Sequence, residues 1–289
     1  MDKSILNSKI GFGTYQMRDE TELFNAIMCA IKNKYDFIDT ATYYKNEKLI
    51  GKVIKYAKKH NFNIPYIQTK IWVDKFDKNI INEVKKSIKN LNVDYLDSIL
   101  LHRPHTNMEL NVKAWIGLIK AKELGLVHHI GVSNFDRDMI EILYNETGVY
   151  PEINQIEHSA TYCRLDRLNY NKSINASIQG WRPLGLLSEN LENKTLKAIA
   201  RRHKCSVTDV LISFCKNFNV IPIVKSSSCE RITKNKKSLK IKLTKNEVEL
   251  ILLKVNTHEP TTSAKNDTFA NLSLSNSWYK TKKTKYKMI

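Results

Sequence analysis

Several features that mark common protein classes are scarce in this sequence. The chain has only nine glycines among 289 residues and contains no G-x-G-x-x-G motif. This argues against the open doubly wound sheet that binds a dinucleotide after its first strand. No stretch approaches the ~20 consecutive apolar residues that a membrane span needs. Residues 1–9 hold no apolar block followed by small residues, so we expect no signal peptide.

Cysteine is also scarce and poorly arranged for cross-linking. The five cysteines are widely separated, odd in number and without a C-x-x-C pair: Cys29, Cys163, Cys205, Cys215 and Cys229. Such spacing predicts neither a disulfide framework nor a zinc site. We therefore expect a reduced, cytoplasmic protein that binds no metal.

Positive charge, in contrast, is abundant. The chain carries 47 Lys and Arg against 29 Asp and Glu, a formal net charge of +18. Such a surplus is typical of proteins that bind nucleic acid or acidic membranes. However, the 28 Asn that accompany 38 Lys indicate a codon bias toward A and T. Since no helix-turn-helix, zinc-finger or RNP-type aromatic motif is present, we expect no specific nucleic-acid partner and no membrane partner.

Short apolar runs alternate along the chain with segments of helical period. The runs lie at 9–13, 35–39, 64–69, 98–101, 126–132, 153–156, 174–178 and 220–224. Behind the second run, Ile50, Val53, Ile54 and Ala57 share one helix face with Leu49. Further helices are predicted near 20–33, 112–124 and 136–145. Another helix begins at the capping box formed by Ser206 and Asp209.

Eight strands alternating with helices predict parallel strands joined by right-handed crossovers. Eight such units in about 250 residues fit an α/β fold of the (β/α)8 TIM-barrel type, with an open doubly wound sheet as the competing architecture. We assign residues 1–257 to this barrel domain. Residues 258–289, rich in Thr, Ser, Asn and Lys, form a C-terminal tail expected to be partly packed and partly flexible. The basic and aromatic side chains at 279–287 could make weak, salt-sensitive phosphate contacts.

Four polar residues fall where predicted strands end, the catalytic face of such a barrel. Asp39 ends the second strand and Tyr44 follows it, while Lys70 and His102 end the third and fourth strands. Singly, each has a structural explanation: a helix cap, a half-buried aromatic, a solvated lysine and a core histidine. Together they fit general acid catalysis. A nearby ammonium is expected to lower the pKa of a tyrosine, a carboxylate can hold the lysine, and an imidazole can orient a carbonyl.

These residues lie in longer motifs that resemble those of the aldo-keto reductases. Residues 37–47 with Gly51 resemble the family signature, 69–72 its lysine motif and 100–104 its histidine motif. Residues 131–135 and 154–157 match two further signatures. Residues 223–226, followed by Arg231 and Asn235, resemble the C-terminal cofactor motif. The resemblance extends from Ile10 to about Leu253.

The resemblance implies an NADPH-dependent reductase of aldehydes or ketones. Tyr44 would be the general acid, Asp39 and Lys70 would tune it, and His102 would position the substrate carbonyl. The cofactor-binding residues would be Ser133, Asn134 and Gln155 on the carboxamide, Trp181 stacked on the nicotinamide, and Lys225, Ser226, Arg231 and Asn235 around the 2′-phosphate and adenine. Two cations and a hydroxyl at the end of the eighth strand favour such an extra phosphate. Tyr15 and Trp72 would wall the substrate pocket of a monomeric enzyme.

The sequence departs from the family at several places. Tyr15 replaces a common tryptophan, and Arg182 replaces a serine beside the pyrophosphate path or a substrate carboxylate. The N-terminus is short, so the strand pair that closes the barrel bottom is expected to be missing or reduced. The tail beyond Asn256 matches nothing, so the sequence names no particular substrate. One alternative is a redox-sensing or regulatory family member with little turnover. It would bind NADPH but reduce no carbonyl, although all four catalytic positions are filled.

Overall fold

The computed structural model describes residues 4–257 of the chain. Eight parallel strands close into a barrel in the order of the sequence. The prediction of an α/β fold with a (β/α)8 barrel is therefore confirmed. The predicted tail at 258–289 lies outside the described residues.

The barrel strands are β1 (Gly11–Gly13), β2 (Phe37–Asp39), β3 (Tyr66–Ile71), β4 (Leu96–Leu101), β5 (Val127–Ser133), β6 (Ile153–Glu157), β7 (Ser177–Trp181) and β8 (Val220–Val224). The helices are α1 (Glu20–Lys32), α2 (Glu47–Lys59), α3 (Ile80–Leu91), α4 (Met108–Glu123), α5 (Arg137–Thr147), α6 (Leu165–Ser173), α7 (Leu187–Glu192), α8 (Lys194–Arg202), α9 (Val207–Asn217), α10 (Cys229–Lys237) and α11 (Lys245–Lys254). Short 3-10 helices lie at Ile5–Asn7, Thr42–Tyr44, Val73–Lys75 and Ser238–Lys240. Within residues 4–257 no helix is long and apolar enough to cross a membrane.

The barrel closes where the first strand pairs with the last. β1 pairs with β2, which places Gly11 opposite Phe37, and also with β8, which places Phe12 opposite Val224. Because every strand is parallel to both neighbours, all eight carboxyl ends lie on one face of the barrel. The ends of β2, β3 and β4 therefore come together there.

The outer helices bury the faces that their apolar spacing predicts. In α2, Ile50, Val53, Ile54 and Ala57 are all buried. Gly51 lies on the same helix. A β-carbon at this position would collide with the main-chain oxygen of Asn90 near the end of α3. The glycine of this signature therefore allows α2 and α3 to pack closely. The capping box predicted for α9 is confirmed, because the Ser206 and Asp209 side chains each bond the other's backbone N–H.

The bottom of the barrel is closed by the N-terminal 3-10 helix. Ile5 is buried there in a cluster with Phe37, Leu100, Ile153, Ile221 and Ile223. The start of this helix is held by Ser4, whose hydroxyl lies 2.9 Å from His129 Nε2. A single short helical turn thus covers the barrel bottom with Ile5, and the partly buried Leu6 packs against the same cluster.

One predicted strand lies at a different place. The run at 174–178 predicts a strand there, but β7 occupies Ser177–Trp181. Ile174 instead caps the C-terminus of α6, and Asn175 has a left-handed backbone with φ of 57°. The apolar run spans a helix end and a strand start, which hydrophobicity alone does not separate.

The expectation that no cysteines pair is wrong. Cys29 in α1 and Cys229 at the first residue of α10 form a disulfide, with Cα atoms 5.7 Å apart and 200 residues between them in sequence. Cys163, Cys205 and Cys215 are free thiols. Sequence spacing gave no indication of the pairing, because closure of the barrel alone brings α1 beside α10.

Candidate active site

The centre of the candidate site is a buried ion pair between two strand ends. Lys70 Nζ at the end of β3 lies 2.6 Å from Asp39 Oδ2 at the end of β2, and the two side chains are 0% and 4% exposed. The same ammonium donates to the main-chain oxygen of Thr40 at 3.0 Å. Two of the three N–H groups of the Lys70 ammonium are used in these bonds. The third is left for a partner at the opening of the barrel.

Tyr44 is this third partner. The 3-10 helix Thr42–Tyr44 turns the chain back over the barrel and places the Tyr44 hydroxyl 3.4 Å from Lys70 Nζ. The Thr42 hydroxyl accepts a hydrogen bond from the backbone N–H of Trp72 at 3.1 Å. This bond fixes the loop after β2 to the loop after β3, so the position of Tyr44 is set by both loops.

His102 completes the group of four. It directly follows β4, and its backbone N–H donates to the main-chain oxygen of Ile71 at 3.0 Å. The imidazole stands edge-on to Tyr44, with ring centroids 5.5 Å apart, and edge-on to Trp72 at 4.9 Å. The structure therefore brings together Asp39, Tyr44, Lys70 and His102, as the sequence indicates.

The electrostatic effect on Tyr44 differs from the expectation. Burial, and then the negative charge of Asp39, raises the pKa of Tyr44 well above its ordinary value. The expected lowering by Lys70 is therefore wrong, since loss of water around the phenolate outweighs the ammonium, which is already paired with Asp39. Tyr44 is held as the neutral phenol, the form that can donate a proton.

The pKa values of Lys70 and His102 are also shifted by burial. Burial lowers the pKa of Lys70, and the attraction of Asp39 opposes this shift. Burial, followed by the positive charges of Lys70 and Arg103, holds the pKa of His102 well below its usual range. The site thus presents a neutral imidazole and a neutral phenol to a bound molecule, and both can form hydrogen bonds to a carbonyl oxygen.

A glutamine network inside the barrel supports Asp39, and the sequence analysis missed it. Gln68 Nε2 donates to Asp39 Oδ1 at 2.7 Å, and Gln155 Nε2 donates to the same oxygen at 3.0 Å. Gln179 Oε1 accepts from both amides, and Gln179 Nε2 donates back to Gln68. All three side chains are buried. The detectable signal was a glutamine within each of the strands β3, β6 and β7.

The residues expected around the nicotinamide lie beside His102. Asn134 has a left-handed backbone with φ of 63°, and its Nδ2 donates to the main-chain oxygen of His102 at 3.2 Å. Trp181 Nε1 donates to Asn134 Oδ1 at 2.9 Å, and the Ser133 hydroxyl donates to the main-chain oxygen of Gln155 at 2.9 Å. The Gln155 side-chain nitrogen, however, donates hydrogen bonds to Asp39 and Gln179 inside the barrel.

The residues expected around a 2′-phosphate gather after β8. Arg231 Nε donates to the Ser226 hydroxyl at 3.0 Å, and the backbone N–H of Ser228 donates to the same oxygen at 3.1 Å. Ser228 caps α10, while Lys225 is exposed and Asn235 is buried. A hydroxyl, a guanidinium, an ammonium and a helix N-terminus form a donor set that suits a phosphate group. The chain's residues therefore fit NADPH.

Aromatic side chains surround the opening above Tyr44. The ring centroids of Tyr15 and Tyr44 are 5.1 Å apart, and Tyr43 stacks on Trp72 with centroids 4.1 Å apart. Tyr15 and Trp72 were expected as pocket walls, whereas Tyr43 was not. Residues 4–257 contain no group of three or more His, Cys, Asp or Glu side chains arranged to hold a metal ion.

Comparison with known proteins agrees with this geometry. Residues 9–254 match the Aldo/keto reductase family. The chain is 31% identical over 241 residues to the methylglyoxal reductase DkgA of Escherichia coli (strain K12), covering 83% of this chain and 86% of that protein. It is 30% identical over 242 residues to the glyoxal reductase of Bacillus subtilis (strain 168), with the same coverage.

A solved structure shares the fold over nearly the whole chain. The aldo-keto reductase AKR2E4 of Bombyx mori, crystallised in complex with NADP, superposes with a TM-score of 0.81 at 27% identity. The match covers 89% of this chain and 93% of that one.

Proposed function

Because the chain belongs to the aldo/keto reductase family and is an NADPH-dependent oxidoreductase that reduces aldehyde or ketone carbonyls to alcohols, we propose the following roles for its residues. Tyr44 donates the proton to the carbonyl oxygen. His102 orients that oxygen, and the Lys70–Asp39 pair holds the phenol in place. The observation that carries this proposal is the contact of Tyr44 with Lys70 at 3.4 Å, beside the ring of His102.

The reaction requires the carbonyl oxygen to approach Tyr44 and His102 together. When bound, NADPH supplies the hydride for the carbonyl carbon. Negative charge then grows on the oxygen, and hydrogen bonds from the phenol and the imidazole stabilise it. Tyr44 transfers its proton to this oxygen. An alkoxide is a much stronger base than a phenolate, so the transfer stays favourable although burial raises the pKa of Tyr44.

After the transfer, the adjacent ammonium of Lys70 stabilises the Tyr44 phenolate. Lys70 is itself held by Asp39 and the Thr40 carbonyl, so this stabilisation needs no rearrangement. The pair therefore acts on the product of the proton transfer. This role replaces the expected lowering of the pKa of Tyr44 before substrate binds.

The cofactor contacts divide between the two ends of NADPH. Ser133 and Asn134 hold the carboxamide together with the side-chain oxygen of Gln155, whose nitrogen already donates to Asp39 and Gln179. Trp181 stacks on the nicotinamide. Lys225, Ser226, Arg231 and Asn235 hold the 2′-phosphate and adenine. The bond between Arg231 and Ser226 supports the second assignment, because it fixes the guanidinium beside a buried hydroxyl.

The proposed substrates are small aldehydes and α-dicarbonyls. The relatives named methylglyoxal reductase and glyoxal reductase support this class, as do the aromatic rings of Tyr15, Tyr43 and Trp72 around the opening. The proposal keeps the cytoplasmic location and monomeric state expected from the sequence. The Cys29–Cys229 disulfide makes the location worth testing by cell fractionation, since disulfides are more typical of oxidising compartments. Light scattering after size-exclusion chromatography tests the monomer.

The proposal is tested by replacing the proton donor. Tyr44→Phe should lower kcat for methylglyoxal about 10²- to 10⁴-fold, the usual contribution of a general acid, while NADPH binding by fluorescence titration stays intact. Tyr56→Phe is the matched control, because Tyr56 lies on α2 against His60. Full turnover in Tyr44→Phe would refute the role of Tyr44. Wild-type protein that binds NADPH but reduces no carbonyl in a broad panel would instead indicate a regulatory subunit.

A further inference from the structure

The Cys29–Cys229 disulfide lies next to the proposed phosphate site but has no part in the mechanism above. Cys229 is the first residue of α10, two residues before Arg231 and three after Ser226. Arg231 Nε donates a hydrogen bond of 3.0 Å to the Ser226 hydroxyl. The covalent link to α1 therefore joins the chain within the segment that carries these two phosphate-binding groups.

Different contacts hold the two ends of α10. The first turn is tied to α1 by the disulfide. Further along the helix, the Tyr35 hydroxyl donates to the main-chain oxygen of Ile232 at 2.8 Å, and Lys236 forms an ion pair of 3.2 Å with Asp36. Opening the disulfide therefore loosens the first turn, where Arg231 lies, while the later turns keep their contacts.

The two sulfur atoms have different surroundings. Cys229 is an exposed residue, whereas Cys29 is 3% exposed, so an external thiolate reaches the disulfide from the side of Cys229. The Asn33 side-chain nitrogen donates a hydrogen bond to the Cys29 sulfur at 3.4 Å. This bond stabilises negative charge on the Cys29 sulfur when the Cys229 sulfur is attacked, and a better leaving group speeds thiol–disulfide exchange.

From this placement we propose that the disulfide is a redox switch on the cofactor site. With the disulfide closed, Ser226 and Arg231 are preorganised for the 2′-phosphate, and NADPH binds tightly. With the disulfide open, the first turn of α10 loses this order and the affinity for NADPH falls. NADH lacks that phosphate, so its affinity is unchanged. The inference rests on the proposed function, because it assumes that these two residues bind the 2′-phosphate.

A dithiol is the reductant in this switch. One of its thiolates attacks the Cys229 sulfur, forms a mixed disulfide with it and releases Cys29 as a thiolate, which takes up a proton. The second thiol of the reductant then attacks the reductant's own sulfur in the mixed disulfide and releases Cys229. In total, two electrons and two protons pass from the dithiol to the two cysteines, and the reductant leaves as an internal disulfide.

Cofactor binding by the full chain in its two redox states tests the switch. Protein treated with oxidised dithiothreitol should show three thiols after denaturation, and protein treated with reduced dithiothreitol should show five. The Kd values for NADPH and NADH are then measured by fluorescence titration. Preorganisation of one or two side chains changes affinity about threefold to tenfold. Reduction should raise the Kd for NADPH by that factor and leave the Kd for NADH unchanged.

Three variants separate the disulfide from other effects of the reductant. Cys229→Ser should bind NADPH as reduced wild type does, and dithiothreitol should not change its Kd further. Cys205→Ser removes a free thiol and should respond to dithiothreitol as wild type does. In Arg231→Gln the redox state should no longer affect the Kd for NADPH, because the charged group that the disulfide positions has been removed.

Several results would overturn the proposal. These are five thiols in both preparations, an equal Kd for NADPH in oxidised and reduced wild type, and a parallel weakening of NADPH and NADH. Reoxidation of reduced wild type should restore the original Kd, and a lasting loss of affinity would indicate damage to the fold instead of a switch.

A calorimetric comparison distinguishes failure of the switch from failure of the proposed function. Oxidised wild type should bind adenosine 2′,5′-bisphosphate more tightly than adenosine 5′-monophosphate. If the two bind equally, the proposed phosphate-binding residues are wrong and the switch fails with them. If the bisphosphate is preferred to the same degree in both redox states, the phosphate site stands and the switch alone fails.

Discussion

Lys70 and Asp39 form an ion pair of 2.6 Å whose two side chains are almost completely removed from solvent. Removing one member leaves the other charge buried without a partner, which typically costs about 3–5 kcal/mol. Lys70→Met should therefore lower the free energy of unfolding by about that amount, measured by urea denaturation, and should abolish reductase activity.

Two further variants separate stability from catalysis. The double variant Lys70→Met with Asp39→Asn should recover much of the lost stability, because no charge remains buried, yet stay inactive. Lys52→Met is the control, since Lys52 pairs with Glu20 at 2.7 Å with both side chains mostly exposed. Such surface pairs contribute at most about 1 kcal/mol. Equal stability losses in Lys70→Met and Lys52→Met would contradict the prediction.

The raised pKa of Tyr44 predicts the pH dependence of reduction. Reduction needs the protonated phenol, so a raised pKa extends the active range upward in pH. We expect kcat/KM for a neutral aldehyde to stay level up to about pH 10, the ordinary value for tyrosine, and to fall only above it. Stopped-flow measurements across the pH range test this. A decline already between pH 7 and 8 would show that Lys70 lowers the pKa of Tyr44 in the working enzyme.

The preference for NADPH over NADH depends on Arg231 in this proposal. Arg231→Gln removes a charge-assisted bond, so the Kd for NADPH should rise about tenfold to a hundredfold. The Kd for NADH, which lacks the 2′-phosphate, should change little. Lys234→Gln removes the same charge from the same helix, where Lys234 pairs with Glu230 at 2.6 Å, and should affect neither Kd. Parallel weakening of both cofactors by Arg231→Gln would place the phosphate elsewhere.

The disulfide between α1 and α10 predicts a loss of stability on reduction. A native disulfide typically contributes about 2–4 kcal/mol by restricting the unfolded chain. Cys29→Ser, or wild type treated with a reductant, should unfold at a lower temperature in scanning calorimetry. Cys205→Ser, which removes a free thiol, should unfold as wild type does. If Cys29→Ser and Cys205→Ser had the same Tm, the disulfide would make no net contribution.

Local patterns in the sequence predicted the barrel and the four residues at its centre. Strand ends of a parallel barrel meet on one face, so the positions of Asp39, Lys70 and His102 at the ends of consecutive strands were sufficient to place them together. The turn that returns Tyr44 to Lys70 was not predicted from spacing. The combination of the four residue types indicated general acid catalysis, and the family resemblance agreed by making Tyr44 the acid. The same spacing left the side chains of Gln68 and Gln179 unassigned, because which face of a strand points inward depends on barrel register.

Two other features depend on three-dimensional contacts that no local pattern encodes. The pairing of Cys29 with Cys229 spans 200 residues and exists only because β1 lies beside β8. Burial raises the pKa of Tyr44 more than the charge of Asp39 does. The extent of burial depends on how several loops pack over the barrel. Sequence identifies the titratable neighbours of a residue more readily than the amount of water that folding removes from it.

The pairing of β1 with β8 also determines when this protein can fold during its synthesis. The strand that completes the barrel ends at Val224, so Ile5 lacks its partners Ile221 and Ile223 until most of the chain has been made. At ~5–20 residues per second, a ribosome needs about 10–45 s to reach that point. Throughout this interval the edge of β1 is unpaired and open to association with other chains. The nascent protein is therefore expected to depend on chaperones until its last strand emerges.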